Sequence, residues 1–150
     1  MSDSAIGDCN GTAIRMAARR ITLLYDDALG ACGMRSTQYS ILAALGEMRD
    51  APPTIGELAE RLTMDASALG HTLKPLVREG WIALVGSKED RRRKRLVLTH
   101  GGQAQLLEAE ALWRQAQAKF EQVIGVEAAA ALRLTLLAMA RDERLSTIAA

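Results

Sequence analysis

Residues 88–95, KEDRRRKR, hold six basic side chains and two acidic ones, a local charge of +4 in a 150-residue chain whose total is only +1. Such a run neutralises phosphates, and an arginine within it can enter a minor groove. Seen alone, such a run is more often just a solvated turn. The stretch before it changes that reading. Ala66, Ser67, Gly70, His71, Thr72 and Lys74 are small or hydrogen-bonding and include no bulky apolar group. A helix with that face can bring its first turns against base edges in a major groove.

Two short helices must position this face. Thr54 and Glu57 form a capping box, so the first helix opens there, with Ile55, Leu58, Ala59 and Leu62 as its apolar stripe. Thr63 and Met64 make a turn. Asp65 then N-caps the second helix by accepting from the amide of Ser67 or Ala68, and Leu69, Leu73, Leu76 and Val77 give its buried face. Pro75 has no amide for the His71 carbonyl and is expected to kink this helix. Gly70 loosens it by roughly 1 kcal/mol relative to Ala, which suits close approach to DNA or a neighbouring helix. An ordinary pair of surface helices shares this spacing. The β-leaning runs 82–85 and 96–99, with the charged tip between them, add a hairpin directly after the pair.

The rest of the chain is helical in character. Apolar residues make up 49% and aromatics only 3%, so the core is built of Leu, Ala, Ile and Met. Residues 1–11 read as a loosely ordered arm. Residues 12–31 carry an amphipathic repeat that Cys32 and Gly33 end, Gly33 as a left-handed cap. Ser36 caps a helix to about residue 49, with Tyr39, Ile41, Leu42 and Leu45 inward, and Pro52 and Pro53 stop it. A long helix starts at Thr99 or His100 and runs to about residue 123, with Leu106, Ala109, Trp113, Ala116, Phe120 and Val123 along one seam. After Gly125, residues 127–145 are apolar on almost every side, which requires burial on more than one side. The first and the last two helices are therefore expected to build a two-fold dimer. The N-terminal stretch has no basic-then-apolar pattern, and no apolar run reaches the ~18 residues of a membrane span. The expectation is a cytoplasmic protein without a membrane role, its two cysteines reduced.

The segment Asp90-x-Arg92-x-x-x-Leu96-x-Leu98-Thr99, followed by Gly102, resembles the D-x-R-x-x-x-(V/L)-x-L-T…G wing signature of the MarR (multiple antibiotic resistance regulator) family. Tyr25-Asp26, Gln38-Tyr39, Leu58-Ala59 and Glu79-Gly80 fall where that family places similar residues. The resemblance implies a mainly α fold with a small β-hairpin wing: a winged helix-turn-helix in which the N- and C-terminal helices form the dimer interface. Residues 1–150 would be one domain, with 36–99 as the DNA-binding lobe and 12–31 and 100–148 as dimerisation helices. The function implied is a homodimeric repressor or activator on a pseudo-palindromic double-stranded DNA operator, controlled by a small ligand or by thiol oxidation. By position, Arg92 would enter the minor groove with Arg91, Arg93 and Lys94 beside it. Asp90 would brace the wing.

No catalytic constellation is present. His71 and His100 lie on different elements without a cysteine or carboxylate at ligand spacing, so neither an enzyme, a metal nor a cofactor is expected. Two sensor readings stand. In one, an aromatic or acyl anion lies between the dimer helices and the DNA-binding lobe; Arg15, Arg19 and Arg20 meet its carboxylate, while Met16, Tyr25, Tyr39 and Met48 line the pocket. The same arginines suit a solvated face or dimer salt bridges. In the other, Cys9 near a helix N-terminus is a redox-sensing thiol. Tyr25 matches the hydroperoxide-responsive branch of the family, but Cys9 lies about two residues too far upstream and Ser36 replaces a second tyrosine. Cys32 reads as an inert apolar residue. A reading of another class is a helical dimerisation or adaptor module whose basic loop binds a protein or membrane surface without DNA specificity.

Overall fold

The computed structural model describes residues 7–148. Among these residues, the elements follow one another as α1 (Asn10–Leu29), α2 (Ser36–Glu47), α3 (Ile55–Arg61), α4 (Ala66–Arg78), β1 (Ile82–Gly86), β2 (Lys94–Leu98), α5 (His100–Ile124) and α6 (Val126–Ala140). Short 3₁₀ turns occupy Gly30–Cys32 and Glu143–Leu145. Part of the expected N-terminal arm, residues 1–6, lies outside the described residues; the rest meets α1, which begins at Asn10 under the N-cap Cys9.

Helix ends follow local chemistry closely. At α3, Thr54 Oγ1 accepts from the Glu57 amide (3.2 Å) and Glu57 Oε2 accepts from the Thr54 amide (2.8 Å), the expected capping box. Asp65 accepts from the Ala68 amide at 3.0 Å and starts α4. Three turns close as Schellman motifs, each with a residue in the left-handed region: Gly33 (φ 72°), Thr63 (φ 52°) and Gly80 (φ 75°). In the middle one the Met64 amide donates to the Ala59 carbonyl and the Thr63 amide to the Glu60 carbonyl. A β-branched residue therefore holds the turn between α3 and α4, where glycine would sit without strain.

Two local expectations are corrected. Ser36 does not cap α2; Arg35 is the N-cap, and the free Ser36 amide donates instead to Asp26 Oδ1 of α1 at 2.7 Å. A tertiary carboxylate thus replaces the local hydroxyl. Pro75 lies inside α4, which continues past it to Arg78 with Leu69, Leu73 and Leu76 buried. Val77 is not on the buried face; it is 37% exposed.

The core binds α2, α3, α4 and the hairpin into one lobe, with Ile41, Leu42, Leu58, Leu69, Leu76 and Leu96 almost fully buried. Within the hairpin the register is antiparallel, Ile82 opposite Leu98 and Gly86 opposite Lys94. The Leu96 amide donates to the Pro53 carbonyl at 2.8 Å, tying β2 to the segment before α3. Where the hairpin meets α5, Thr99 N-caps that helix by accepting from the Gly102 amide, and its hydroxyl also donates to the Trp81 carbonyl at 3.1 Å. A Cβ on Gly102 would stand 2.0 Å from the Trp81 carbonyl oxygen, so only glycine allows this approach.

Gly125 (φ 96°) then turns the chain, and the axes of α5 and α6 differ by 107°. Of α6, only Ala129 is buried; Val126 and Leu134 are more than 60% exposed, and Leu132, Leu136 and Leu137 about 42%. The seam expected along α5 is partly realised: Ala109 and Ala116 are buried, Trp113 and Phe120 half-buried, and Val123 exposed. No single described helix is long and apolar enough to cross a membrane, although α5 and α6 pass the test of length and composition as a bent pair.

Candidate nucleic-acid interface

The first three turns of α4 present Ala66, Ser67, His71 and Lys74 as exposed side chains, with Gly70 half-exposed among them. Nothing lies within 4 Å of where a Gly70 Cβ would be, so its smallness serves no internal contact. Thr72 is half-buried, and its hydroxyl donates back to the Ala68 carbonyl at 3.1 Å, leaving it the least available of the set. The helix-turn-helix thus carries a flat, polar, unobstructed face, held by the leucines on its other side.

The wing tip is folded around Asp90. Its carboxylate accepts from the Arg92 amide (2.9 Å), its carbonyl accepts from the Arg93 amide, and the Ser87 amide donates to the Arg93 carbonyl. Asp90 braces the loop through the backbone, not through the Arg92 guanidinium. Arg91, Arg92, Arg93 and Lys94 are exposed, and none is in an ion pair among the described residues. Arg95 differs from them: its Nη1 donates to the Pro52 carbonyl and to Glu57 Oε2, both at 2.9 Å. Hydrogen bonding to Thr54, first, and the Arg95 charge hold the Glu57 carboxyl below its ordinary value.

On the other side of α2 lies a cavity of about 660 Å3, walled by α1, α2, α5 and α6. Ile21, Leu29, Trp113, Phe120, Leu132 and Leu136 supply its apolar surface, and Tyr25, Tyr39, Gln117 and Arg133 its main polar groups. Tyr39 stacks on Trp113 with ring centroids 5.8 Å apart. Tyr25 donates to Gln117 Oε1 at 2.6 Å, and Gln117 Nε2 donates on to Glu121 at 2.9 Å. Burial raises the pKa of both tyrosines, with Glu121 adding to the effect at Tyr25 and Glu110 at Tyr39.

Of the pocket residues expected from sequence, Tyr25 and Tyr39 are brought together here and five others, Arg15, Met16, Arg19, Arg20 and Met48, are not. Arg15 and Arg19 line a separate surface depression, and Met16, 53% exposed, stands about two and a half turns from Tyr25 and so on the opposite side of α1. Met48 lines another cavity, with Arg49 and His100. Sequence reading missed Gln117, Trp113 and Arg133 as lining residues. A signal for Arg133 existed: it is the one cation within α6, whose other residues apart from Glu127 and Thr135 are apolar.

Cys9 is exposed, and its sulfur accepts from the Thr12 amide at 3.4 Å. Hydrogen bonding to Thr12 lowers its thiol pKa, with a smaller contribution from Arg15. Cys32 lies beyond the other end of α1, about 30 Å away for a helix of twenty residues, so the two cannot pair within one protomer. Among the described residues, no group of three or more His, Cys, Asp or Glu side chains gathers as a metal site.

A model of the MarR family matches residues 33–93, from the Gly33 turn to the wing tip. The chain is 30% identical to the M. tuberculosis transcriptional regulator MosR, covering 91% of this chain and 97% of that one with a TM-score of 0.77. The same regulator in complex with DNA aligns at 31% identity over 89% and 94%, with a TM-score of 0.78. A probable transcriptional regulator from Pseudomonas aeruginosa is 26% identical over 89% and 98%, with a TM-score of 0.77. No curated protein sequence matches the chain.

Proposed function

The chain belongs to the MarR family of transcriptional regulators, and from that premise we propose that it is a homodimeric, sequence-specific DNA-binding repressor controlled by a small organic anion. The observation that carries the reading is the pairing of an open polar face on α4 with a wing whose Arg91 to Lys94 side chains are exposed and, among the described residues, in no ion pair. The crystallised complex of MosR with DNA supports it. In this reading Ala66, Ser67, Gly70, His71, Thr72 and Lys74 face the major groove, while Arg92 enters the minor groove with Arg91, Arg93 and Lys94 on phosphates.

The apolar side chains that α6 leaves exposed favour a second copy as their cover, together with α1. A two-fold axis there would set the two α4 helices one turn of DNA apart, about 34 Å, and call for a pseudo-palindromic site. Residues 36–99 then act as the reading lobe, and 12–31 with 100–148 as the dimerisation helices. The cavity between α1, α2, α5 and α6 is the place for the effector, with apolar walls for an aromatic or acyl body and Arg133 for its carboxylate. Such a ligand shifts the protein only by its differential affinity for the DNA-competent and DNA-incompetent arrangements.

The experiment is selection from a random-duplex pool. Enrichment of one inverted repeat, bound in the presence of competitor DNA and weakened steeply by salt, is expected. Recovery of no preferred sequence overturns the reading in favour of an adaptor module.

A further inference from the structure

Of the six basic residues at the wing, five project from the tip or its base, and the sixth is turned inward. Arg95 sits on β2 next to Leu96, which is 1% exposed, so the two side chains leave opposite faces of the strand. From there its Nη1 meets the Pro52 carbonyl and Glu57 Oε2, each at 2.9 Å. That same Glu57 oxygen accepts from the Thr54 amide, the first amide of the α3 cap. One guanidinium therefore joins three pieces of chain: the wing, the proline segment before α3, and the capping box that fixes where α3 begins. Among the described residues, the only other polar tie between β2 and this segment is the Leu96 amide on the Pro53 carbonyl. A two-stranded hairpin is marginal without such support, because nothing within it sets its angle to the rest of the lobe.

We infer that Arg95 is a positioning residue for DNA binding, holding the wing at the angle to α4 that lets the Arg92 tip and the α4 face engage one duplex together, with Glu57 as its anchor. The inference rests on the DNA-binding reading above. It gives Arg95 a different role from its neighbours: its charge is spent inside the protein, and phosphate contact is left to residues 91–94. It also gives Glu57, an acidic residue beside a DNA-binding surface, a positive role in affinity. Simple electrostatics assigns Glu57 the reverse, since a carboxylate near phosphates repels them.

That opposition of sign provides the test. Glu57→Gln removes the charge and keeps a side chain that still caps α3, so the fold survives; a thermal melt checks this. The probe is the duplex most enriched by the wild-type protein from the random pool. Because the ion pair is part-exposed, 34% and 49% at the two side chains, the expected loss for Glu57→Gln is modest, about threefold in affinity. Arg95→Gln should lose a similar factor, Arg95→Lys should recover most of it, and the double Gln variant should bind no worse than the weaker single one. The dependence of affinity on salt should keep its wild-type slope in Arg95→Gln, whereas loss of a phosphate contact lowers the slope by about one. Equal or tighter binding by Glu57→Gln, additive losses, or a reduced slope overturns the positioning role while leaving the DNA-binding reading intact. A wild-type protein that enriches no duplex sinks both.

Discussion

The Tyr25 hydroxyl donates to Gln117 Oε1 at 2.6 Å, linking α1 to α5 across the cavity wall. The bond fixes the Gln117 amide, whose nitrogen donates on to Glu121. Tyr25→Phe is expected to destabilise the fold by about 1 kcal/mol, read by chemical denaturation. The pKa of Tyr25 is raised above 10.0, chiefly by burial. The unfolded phenol therefore ionises first, so this contribution is complete below pH ~10 and is lost as pH climbs through the folded value. Tyrosinate absorbance should rise later in the folded protein than in denaturant; coincident titrations would contradict the buried phenol.

Gly102→Ala tests the contact between the wing and α5. With 2.0 Å between the new Cβ and the Trp81 carbonyl oxygen, the backbone itself must move, at a cost of about 1–3 kcal/mol. A melting temperature unchanged from wild type would refute the close approach.

Thr63→Gly should act in the opposite direction. The turn between α3 and α4 holds a β-branched residue at φ 52°, and glycine removes that strain at some cost in unfolded-chain entropy. A net gain of about 0.5–1 kcal/mol is expected from equilibrium unfolding. A loss of stability would mean that Thr63 makes a compensating contact.

Arg92→Ala is expected to weaken operator binding by about 1–3 kcal/mol while leaving the oligomeric state and the melt unchanged. Its backbone amide, held by Asp90, is untouched by the substitution, so the loop keeps its shape. An unchanged gel-shift affinity would remove Arg92 from the interface.

Arg133→Gln should spare DNA binding and blunt the response to effector. In a thermal-shift series of aromatic and acyl carboxylates, those that stabilise the wild-type protein should lose most of their effect in this variant. Equal shifts in both proteins would move the anion site elsewhere.

Elements governed by neighbours in sequence were readable in advance. The Thr54–Glu57 box, the Asp65 cap and the Gly33 turn each need only residues a few positions apart, and each stands as expected. The places that differ are tertiary. Ser36 looks like a cap until Asp26, ten residues back, takes its amide. Arg95 looks like one more wing cation until Glu57 and Pro52 are brought beneath it. For the cavity, aromatic composition pointed to Tyr25 and Tyr39, but the direction in which α1 faces decides that Met16 lies outside, and only the turn at Gly125 brings Arg133 in.

Leu29, at the end of α1, is fully buried in the same apolar cluster as Leu69, Leu73 and Leu76 of α4, and it forms part of the wall of the cavity. Under the proposed function, a guest in the cavity and the DNA-binding core would share this one leucine. Interiors packed at crystal density do not yield gradually. An occupant a few atoms too large would lever α2 as a rigid rod, and a smaller congener would sit there silently, so potency among related compounds should break sharply with size.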